Sequence, residues 1–543
     1  MNHIHNSIPL LPTSPDILQR PTTNAIPSWQ DGALRIRLIL MALATVAMAA
    51  ILAVPLYHDI RFSISVAFQA DYLGDFPGNV YHSWNQRGIG YKYVLYGLYR
   101  IAKVGVDSRN LASFEAVIKL TYYAVLLSAC VLFFRLLRKR LEAFGVSWID
   151  ACLTFVIALL ATAPSVHMQP EEMAVVLTLG MAGFFLTENK WLNYLGGLFL
   201  PLLLSCKVIT ITFAFFPLIL VLASRQRSVI VRAVLSCLVF SVLTALFYIL
   251  VIPKEIADTR DAMLYQGSFV FSFRHIKCFL QNGTWALAHI PFLMVGGACL
   301  CFFGGRAVAG RRWWDIGLIV SLAGFAAAAV IVQAAFWPYH YLNFLPPAAI
   351  AVVWVSGALR DSAARLWACL AVSLATAALW LFCATVGPEP HADLWNYAKN
   401  AWIQEAEFHA IDDRFRISDE QETLFLAPGN QFTYIIRSKS YLRHLVPLPL
   451  QRVRGNPALR DSEESRRVLA KAMKYQGKYV ILCPSWFCVE LFPELAKKLA
   501  VEYTIAYTIP EEQHTILGTL QVLRRRTTDG KGRPKNNVEQ AGD

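Results

Sequence analysis

Apolar runs of roughly twenty residues recur along this chain, and each can cross a bilayer as a helix. Leu38 to Leu56 and Ala116 to Phe134 set the pattern. A helix rises about 1.5 Å per residue, so roughly 20 apolar residues cover a ~30 Å hydrocarbon core. Further candidate spans fall near 147–163, 172–187, 191–205, 208–223, 229–252, 286–303, 315–335, 341–358 and 365–386, which gives about eleven. Trp191 to Ala223 is nearly continuous, but one straight helix of that length would be about 50 Å long, too long for a bilayer without strong tilt. Pro201 and Ser205-Cys206-Lys207 interrupt it. Basic residues concentrate on the cytoplasmic side of membrane proteins. Split in two, the run puts Arg35/Arg37, Arg135 to Arg140, Lys190, Arg225/Arg227/Arg232, Arg306/Arg311/Arg312 and Arg360/Arg365 on one side.

The chain of 543 residues is 56% hydrophobic and 16% charged, against about 25% charged for soluble domains. It carries +13 net charge, yet from Gly387 onward 22 Lys+Arg stand against 20 Asp+Glu. The excess therefore sits in short loops between apolar runs, which is a topology signal and argues against a nucleic-acid partner. Of eleven cysteines, Cys483 and Cys488 lie in the polar tail; a short disulfide or two thiols both fit, and the spacing suits no zinc site.

Four units follow: a disordered cytoplasmic arm, 1–33; a transmembrane unit, 34–386, with a large first outer loop, 57–114; a small α/β extracytoplasmic domain, 387–526; and a disordered tail, 527–543. The N-terminal arm lacks the pattern of a cleavable signal peptide. In the tail, ETLFLA, KYVILC, YTIAYTI and TLQVLRR read as strands, while 394–414, SEESRRVLAKAMKY and ELFPELAKKLA read as helices, the second starting with a capping-box pattern. An odd span count places the first loop, the SVHMQPEE turn, the FWPYHY turn and the tail on the same outer face. Irregular backbone at membrane depth must pack on protein or line a wet cavity.

Several polar residues on that face are candidates for chemistry. Asp59 follows the first span, and Asp71 and Asp75 follow in ADYLGDF. A carboxylate beside apolar helices loses hydration and gains basicity, which suits a general base; a solvated interfacial Asp is the plain alternative. His167, Glu171 and Glu172 sit in HMQPEEM, where the acids can cap a helix N-terminus, or bind a sugar or a divalent cation. Lys207 lies inside an apolar run, where an ammonium costs at least ~2.5 kcal/mol. It can bind a phosphate or snorkel to the interface. Tyr339 and His340 open a span in FWPYHYLNFLPP, as an aromatic belt or as a sugar-stacking and phosphate-binding pair. Arg87 precedes an amphipathic segment, GYKYVLYGLY, that suits a helix in the interface; its guanidinium can clamp a phosphate.

This layout resembles the GT-C superfamily of integral-membrane glycosyltransferases, in the branch of protein O-mannosyltransferases and the lipid A aminoarabinose transferase. The resemblance rests on FQADYLGDFPG, on the amphipathic segment from Arg87 to Tyr99, on HMQPEEM and on FWPYHYLNFLPPAAI. It covers most of 36–386 as a pattern. Asp59 is followed by Ile60 rather than a second acid, and the Lys-Pro-Pro run of the aminoarabinose branch is missing. The resemblance implies a polyprenyl-phosphate-sugar donor, a lipid or glycan acceptor, Asp59 as the base, and a bacterial inner-membrane location with the tail outside. No cofactor is certain; a divalent cation is the one candidate. The rival classes are a polytopic transporter or lipid flippase, and a non-catalytic glycan-assembly subunit. No internal repeat of the kind transporters carry is present.

Overall fold

The computed structural model describes residues 27–73, 88–107, 110–143, 145–224, 226–251, 273–308, 313–333, 337–359, 362–386, 394–427, 430–442, 450, 460–509 and 519–526. The arm before residue 27 and the tail 527–543, both expected to be disordered, lie outside the described residues, as do Asp75 and Arg87.

The chain is predominantly helical. Among the described residues four helices are long and apolar enough to cross a membrane: Gly32–Ala53, Leu111–Leu136, Arg227–Leu250 and Ala363–Thr385. Shorter apolar helices run over Trp148–Leu160, Thr210–Leu222 and Ile319–Ile331. The first helix, α1 (Pro27–Ala53), starts earlier than the sequence reading allowed, so residues 27–33 are helix rather than part of the arm.

The first loop is itself mostly helix. α2 (His58–Leu73) buries Ile60, Ile64 and Ala67, residues spaced three and four apart on one face. α3 (Ile89–Gly105) buries Tyr91, Leu95, Tyr99 and Ala102 at the same spacing and exposes Val94, Ile101 and Val104. α4 (Leu111–Leu136) follows, started by Asn110, whose side chain accepts from the Ser113 N–H. Then come α5 (Trp148–Leu160) and α6 (Pro170–Leu186). Packing of α4 on α6, and of α1 on α5, forms the centre of the bundle.

The long apolar run breaks where the split was expected. α7 (Phe199–Cys206) ends at Lys207, which is extended. A 3₁₀ segment, Val208–Ala214, follows and packs back on α7 before α8 (Phe215–Ala223). Pro201 does not break the chain: it lies in the first turn of α7, where a missing N–H costs nothing. α9 (Arg227–Leu250), α10 (Phe273–His289), α11 (Pro291–Val308), α12 (Trp313–Gln333), α13 (Leu345–Ala358) and α14 (Ser362–Val386) complete this part. A 3₁₀ turn, Pro338–Phe344, leads into α13. The Asn282-Gly283-Thr284 triplet lies within α10.

The C-terminal part is an α/β unit. α15 (Leu394–Phe415) leads to β1 (Leu424–Leu426), followed by α16 (Asn430–Ile435), α17 (Glu463–Met473), β2 (Tyr479–Leu482), α18 (Pro493–Glu502), β3 (Tyr503–Ile509) and β4 (Leu520–Arg525). The sheet order is β1-β2-β4-β3, with β1 parallel to β2 and the other pairs antiparallel. All four expected strands are present. β1 and β2 are buried along their length because the sheet packs on both faces. At the start of α17, Ser462 accepts from the Ser465 N–H, but Ser465 holds the position a capping box gives to an acid. Cys483 and Cys488 are not bonded to each other; the Cys483 Sγ lies 3.4 Å from the Ser485 Oγ.

This unit packs directly on the first loop. α16 lies against α2, and the Gln69 amide pairs with the Ser440 backbone, donating to its carbonyl at 3.1 Å and accepting its N–H at 3.3 Å.

Candidate functional site

Four of the sequence-selected residues converge where α7 breaks. Lys207 Nζ lies 2.7 Å from Glu171 Oε1 and 3.3 Å from His340 Nε2. It also sits 5.7 Å from the centre of the Tyr339 ring, which meets His340 edge-on at 4.6 Å. Local sequence explains each placement. Pro170 at the first helical position makes Glu171 a first-turn residue of α6, where the helix N-terminus favours negative charge. The polar Ser205-Cys206-Lys207 step ends α7. Pro338 starts the 3₁₀ turn that carries Tyr339 and His340.

Two glycines of the first loop make the seat of Lys207 possible. The Gly88 N–H donates to the Cys206 carbonyl at 2.7 Å. A Cβ on Gly88 would stand 2.2 Å from the Ser205 carbonyl oxygen, and one on Gly90 would stand 2.3 Å from the Ser205 Oγ. The start of α3 therefore lies directly on the backbone at the break.

The triad is buried. Glu171 is fully excluded from solvent, and the side chain of Lys207 is 16% exposed. Glu171 Oε2 and His340 Nδ1 are buried with no hydrogen-bond partner among the described residues. Buried polar atoms are nearly always satisfied, so such atoms mark a place for a polar ligand or ordered water.

The neighbouring acid does a different job. Glu172 Oε2 accepts the Met168 N–H at 2.6 Å, and Glu172 Oε1 accepts from the Tyr123 hydroxyl at 3.0 Å. Tyr123 also meets His167 Nδ1 at 2.7 Å, while His167 Nε2 lies 3.1 Å from the Thr162 carbonyl oxygen. The Tyr91 hydroxyl donates to the Met168 carbonyl. Met168 has a φ of 58°, a left-handed conformation that such residues seldom adopt. Glu172 and His167 thus hold a strained turn in place, and Glu171 is the acid turned toward Lys207. A divalent cation does not fit this turn: Lys207 already occupies Glu171 Oε1, and both oxygens of Glu172 are taken. Among the described residues no three His, Cys, Asp or Glu side chains converge.

Asp59 lies in the first turn of α2, about one-third exposed, with His58 Nε2 3.6 Å from its Oδ1. Asp71, a substrate-site candidate from sequence, forms an ion pair with Arg100 at 3.0 Å and a second with Lys103. It ties α2 to α3. The Tyr99 hydroxyl is 3.5 Å away, and burial together with this carboxylate pushes its pKa up to about 12.

A second charged cluster went unnoticed in the sequence. The buried Glu115 accepts the Leu56 N–H at 2.6 Å, Arg61 Nε at 2.7 Å and the Tyr434 hydroxyl at 2.9 Å. Burial works against the Arg61 charge, but Glu115 and nearby tyrosines outweigh it and hold the guanidinium above its ordinary value. Arg61 also lies 3.5 Å from Glu405. Lys119, one turn along α4, donates to the carbonyls of Ile51, Leu52 and Val54 and so caps α1. The Tyr397 hydroxyl donates to the Leu56 carbonyl at 2.8 Å. These residues fasten the C-terminal unit to the first loop. The available signal was Glu115-x-x-x-Lys119, two charges one turn apart in a helix whose only other charge is Arg135 in its last turn.

No protein-family model matches this sequence, and no curated protein is similar to it.

Proposed function

We propose that this chain is a membrane glycosyltransferase that moves a sugar from a polyprenyl-phosphate donor to a hydroxyl acceptor on the outer face of the membrane, with inversion. The observation that carries the reading is the Glu171–Lys207–His340 cluster at the break in α7, beneath a first loop folded into α2 and α3. Ionisable groups among apolar helices are costly and are kept for function. The resemblance to the GT-C layout supplies the reaction class, and the cell inner membrane, with the C-terminal unit extracytoplasmic, is the setting.

In this reading the donor phosphate sits at Lys207, with Arg87 as a second cation and Tyr339 against the sugar. Asp59 takes the proton of the acceptor hydroxyl. The acceptor oxygen attacks the anomeric carbon as the bond from that carbon to the phosphate oxygen breaks. The departing phosphate keeps the electron pair, and the Lys207 ammonium stabilises its charge. Glu171 holds Lys207 in position and offers its second oxygen to an acceptor hydroxyl.

The test is transfer from a polyprenyl-linked sugar in reconstituted vesicles. Wild-type protein should transfer, and Lys207→Met should not. Uptake of a sugar or lipid without transfer would favour the transporter reading, for which the same buried ionisable cluster would serve as an ion path. Binding without transfer or uptake would favour an assembly subunit.

A further inference from the structure

A cavity of about 260 Å³ lies between α4, α5, α6, α8 and α13, running along α6 from Val175, one turn past Glu171, to Leu186. Phe134, Phe155, Val175, Leu179, Phe216 and Val353 are among its walls. One water takes about 30 Å³ of liquid volume, so the space is large, yet an apolar cavity does not hold water well. Two polar groups on its walls are committed: Thr178 Oγ1 donates to the Ala174 carbonyl, and Thr154 Oγ1 accepts from Ser373. The space is partly open to the outside, so an apolar chain can enter it.

One wall residue is charged. Arg140 donates from Nε to the Leu186 carbonyl at 3.2 Å and from Nη2 to Gln226 Oε1 at 3.1 Å. Both acceptors are neutral. Its neighbours differ: Arg138 is paired with Glu142, and Lys139 with Glu188. Among the described residues no carboxylate lies within ion-pair distance of Arg140. Glu188, paired with Lys139, acts on Arg140 only from beyond ion-pair distance, and a hydrocarbon pocket with a guanidinium hydrogen-bonded only to neutral oxygens at its end matches a molecule with an apolar chain and an anionic head.

We infer that this cavity binds one anionic phospholipid of the surrounding membrane, with an acyl chain between the helices and the phosphate on Arg140. The charged end of the site is separate from the Lys207 cluster. Arg140 bonds to Leu186, the last residue of α6, whereas Glu171 lies in its first turn. Fifteen residues of helix separate them by about 22 Å. A phosphate on Arg140 is therefore not a phosphate on Lys207, and the inference stands whether or not the chain transfers sugar.

The test uses the full chain in nanodiscs with phosphatidylglycerol carrying a photoactivatable group near the end of one acyl chain, and with the matching phosphatidylcholine. Cross-links should map to 175–186 and 346–353. Phosphatidylglycerol should exceed phosphatidylcholine by about fivefold, the effect of one cation on an anionic lipid. Arg140→Gln should abolish that preference, and Ala182→Phe should abolish the cross-links. If Ala182→Phe does not fold, Ala349→Leu narrows the same space, and the wild-type map decides by itself. Cross-links confined to the exposed face of α9, or equal yields from the two lipids in wild type, would overturn the inference.

Discussion

Lys207 Nζ lies 2.7 Å from Glu171 Oε1, in a place where each charge answers the other. Removing either partner breaks a buried ion pair. Glu171→Gln should destabilise the protein by about 3 kcal/mol, since breaking one side of a buried pair costs roughly 3–5 kcal/mol. Pairing Glu171→Gln with Lys207→Met should cost less than the two single changes added together. Thermal unfolding in detergent measures all three, and strictly additive losses would show that the pair is not energetically coupled.

Asp59 offers the opposite case. It is partly exposed at the first turn of α2, so Asp59→Asn should change stability by well under about 1 kcal/mol, as for a surface substitution. If it is the base, transfer should fall by about 10²–10⁴-fold. Normal expression with undiminished transfer would remove Asp59 from the mechanism.

Gly88→Ala should move the break itself. The new methyl would meet backbone atoms of Ser205 and Cys206, which cannot swing aside as a side chain can. A loss of about 1–3 kcal/mol is expected from overpacking of this kind, together with loss of whatever Lys207 does. Gly97, where an added Cβ would have nothing within 4 Å, is the control. Gly97→Ala lies inside α3 and should stabilise by up to about 1 kcal/mol. Thermal unfolding of the two variants, side by side, checks the contrast; equal shifts would show that α3 does not rest on the break.

The Glu115 cluster predicts a separable phenotype. Tyr434→Phe removes a hydrogen bond to a buried carboxylate and should cost about 1.5–3 kcal/mol. The loosening should appear first at the junction of α2 with the C-terminal unit. Limited proteolysis should release that unit faster, while the bundle of α4 and α6 stays resistant. Uniform loss of resistance throughout the chain would contradict a docking role.

Glu405 gives a pH dependence. Burial raises its carboxyl above its ordinary value of 4.5, against the downward pull of Arg61. A raised acid favours the protonated folded form. Its contribution to stability is fully present below that ordinary value and is lost as pH rises through the raised one. Glu405→Gln removes the loss. The melting temperature of the variant should therefore gain on wild type as pH rises from below the ordinary carboxylate value to above the raised one. A constant difference across that range would show that Glu405 does not titrate abnormally.

Much of the fold was legible in the residues alone. Apolar runs determined a helical membrane chain, because an unbroken stretch of hydrocarbon side chains has few other places to go. Ser205-Cys206-Lys207 determined the break in the long run, and short apolar runs in the tail determined four strands. These are local properties, settled within a few turns of chain. The division of labour among the acids was not local. Glu171 and Glu172 are adjacent and alike in sequence, yet one meets Lys207, 36 residues away, while the other meets Tyr123, 49 residues away. Asp71 reads in sequence as an interfacial acid or a substrate-site candidate, and only the packing of α3 brings Arg100 and Lys103 to it. Arg61, Glu115 and Tyr434 carry no motif, and only the packing of α2, α4 and α16 makes them one cluster. Charges choose partners by distance in space, and that distance exists only once the helices have packed.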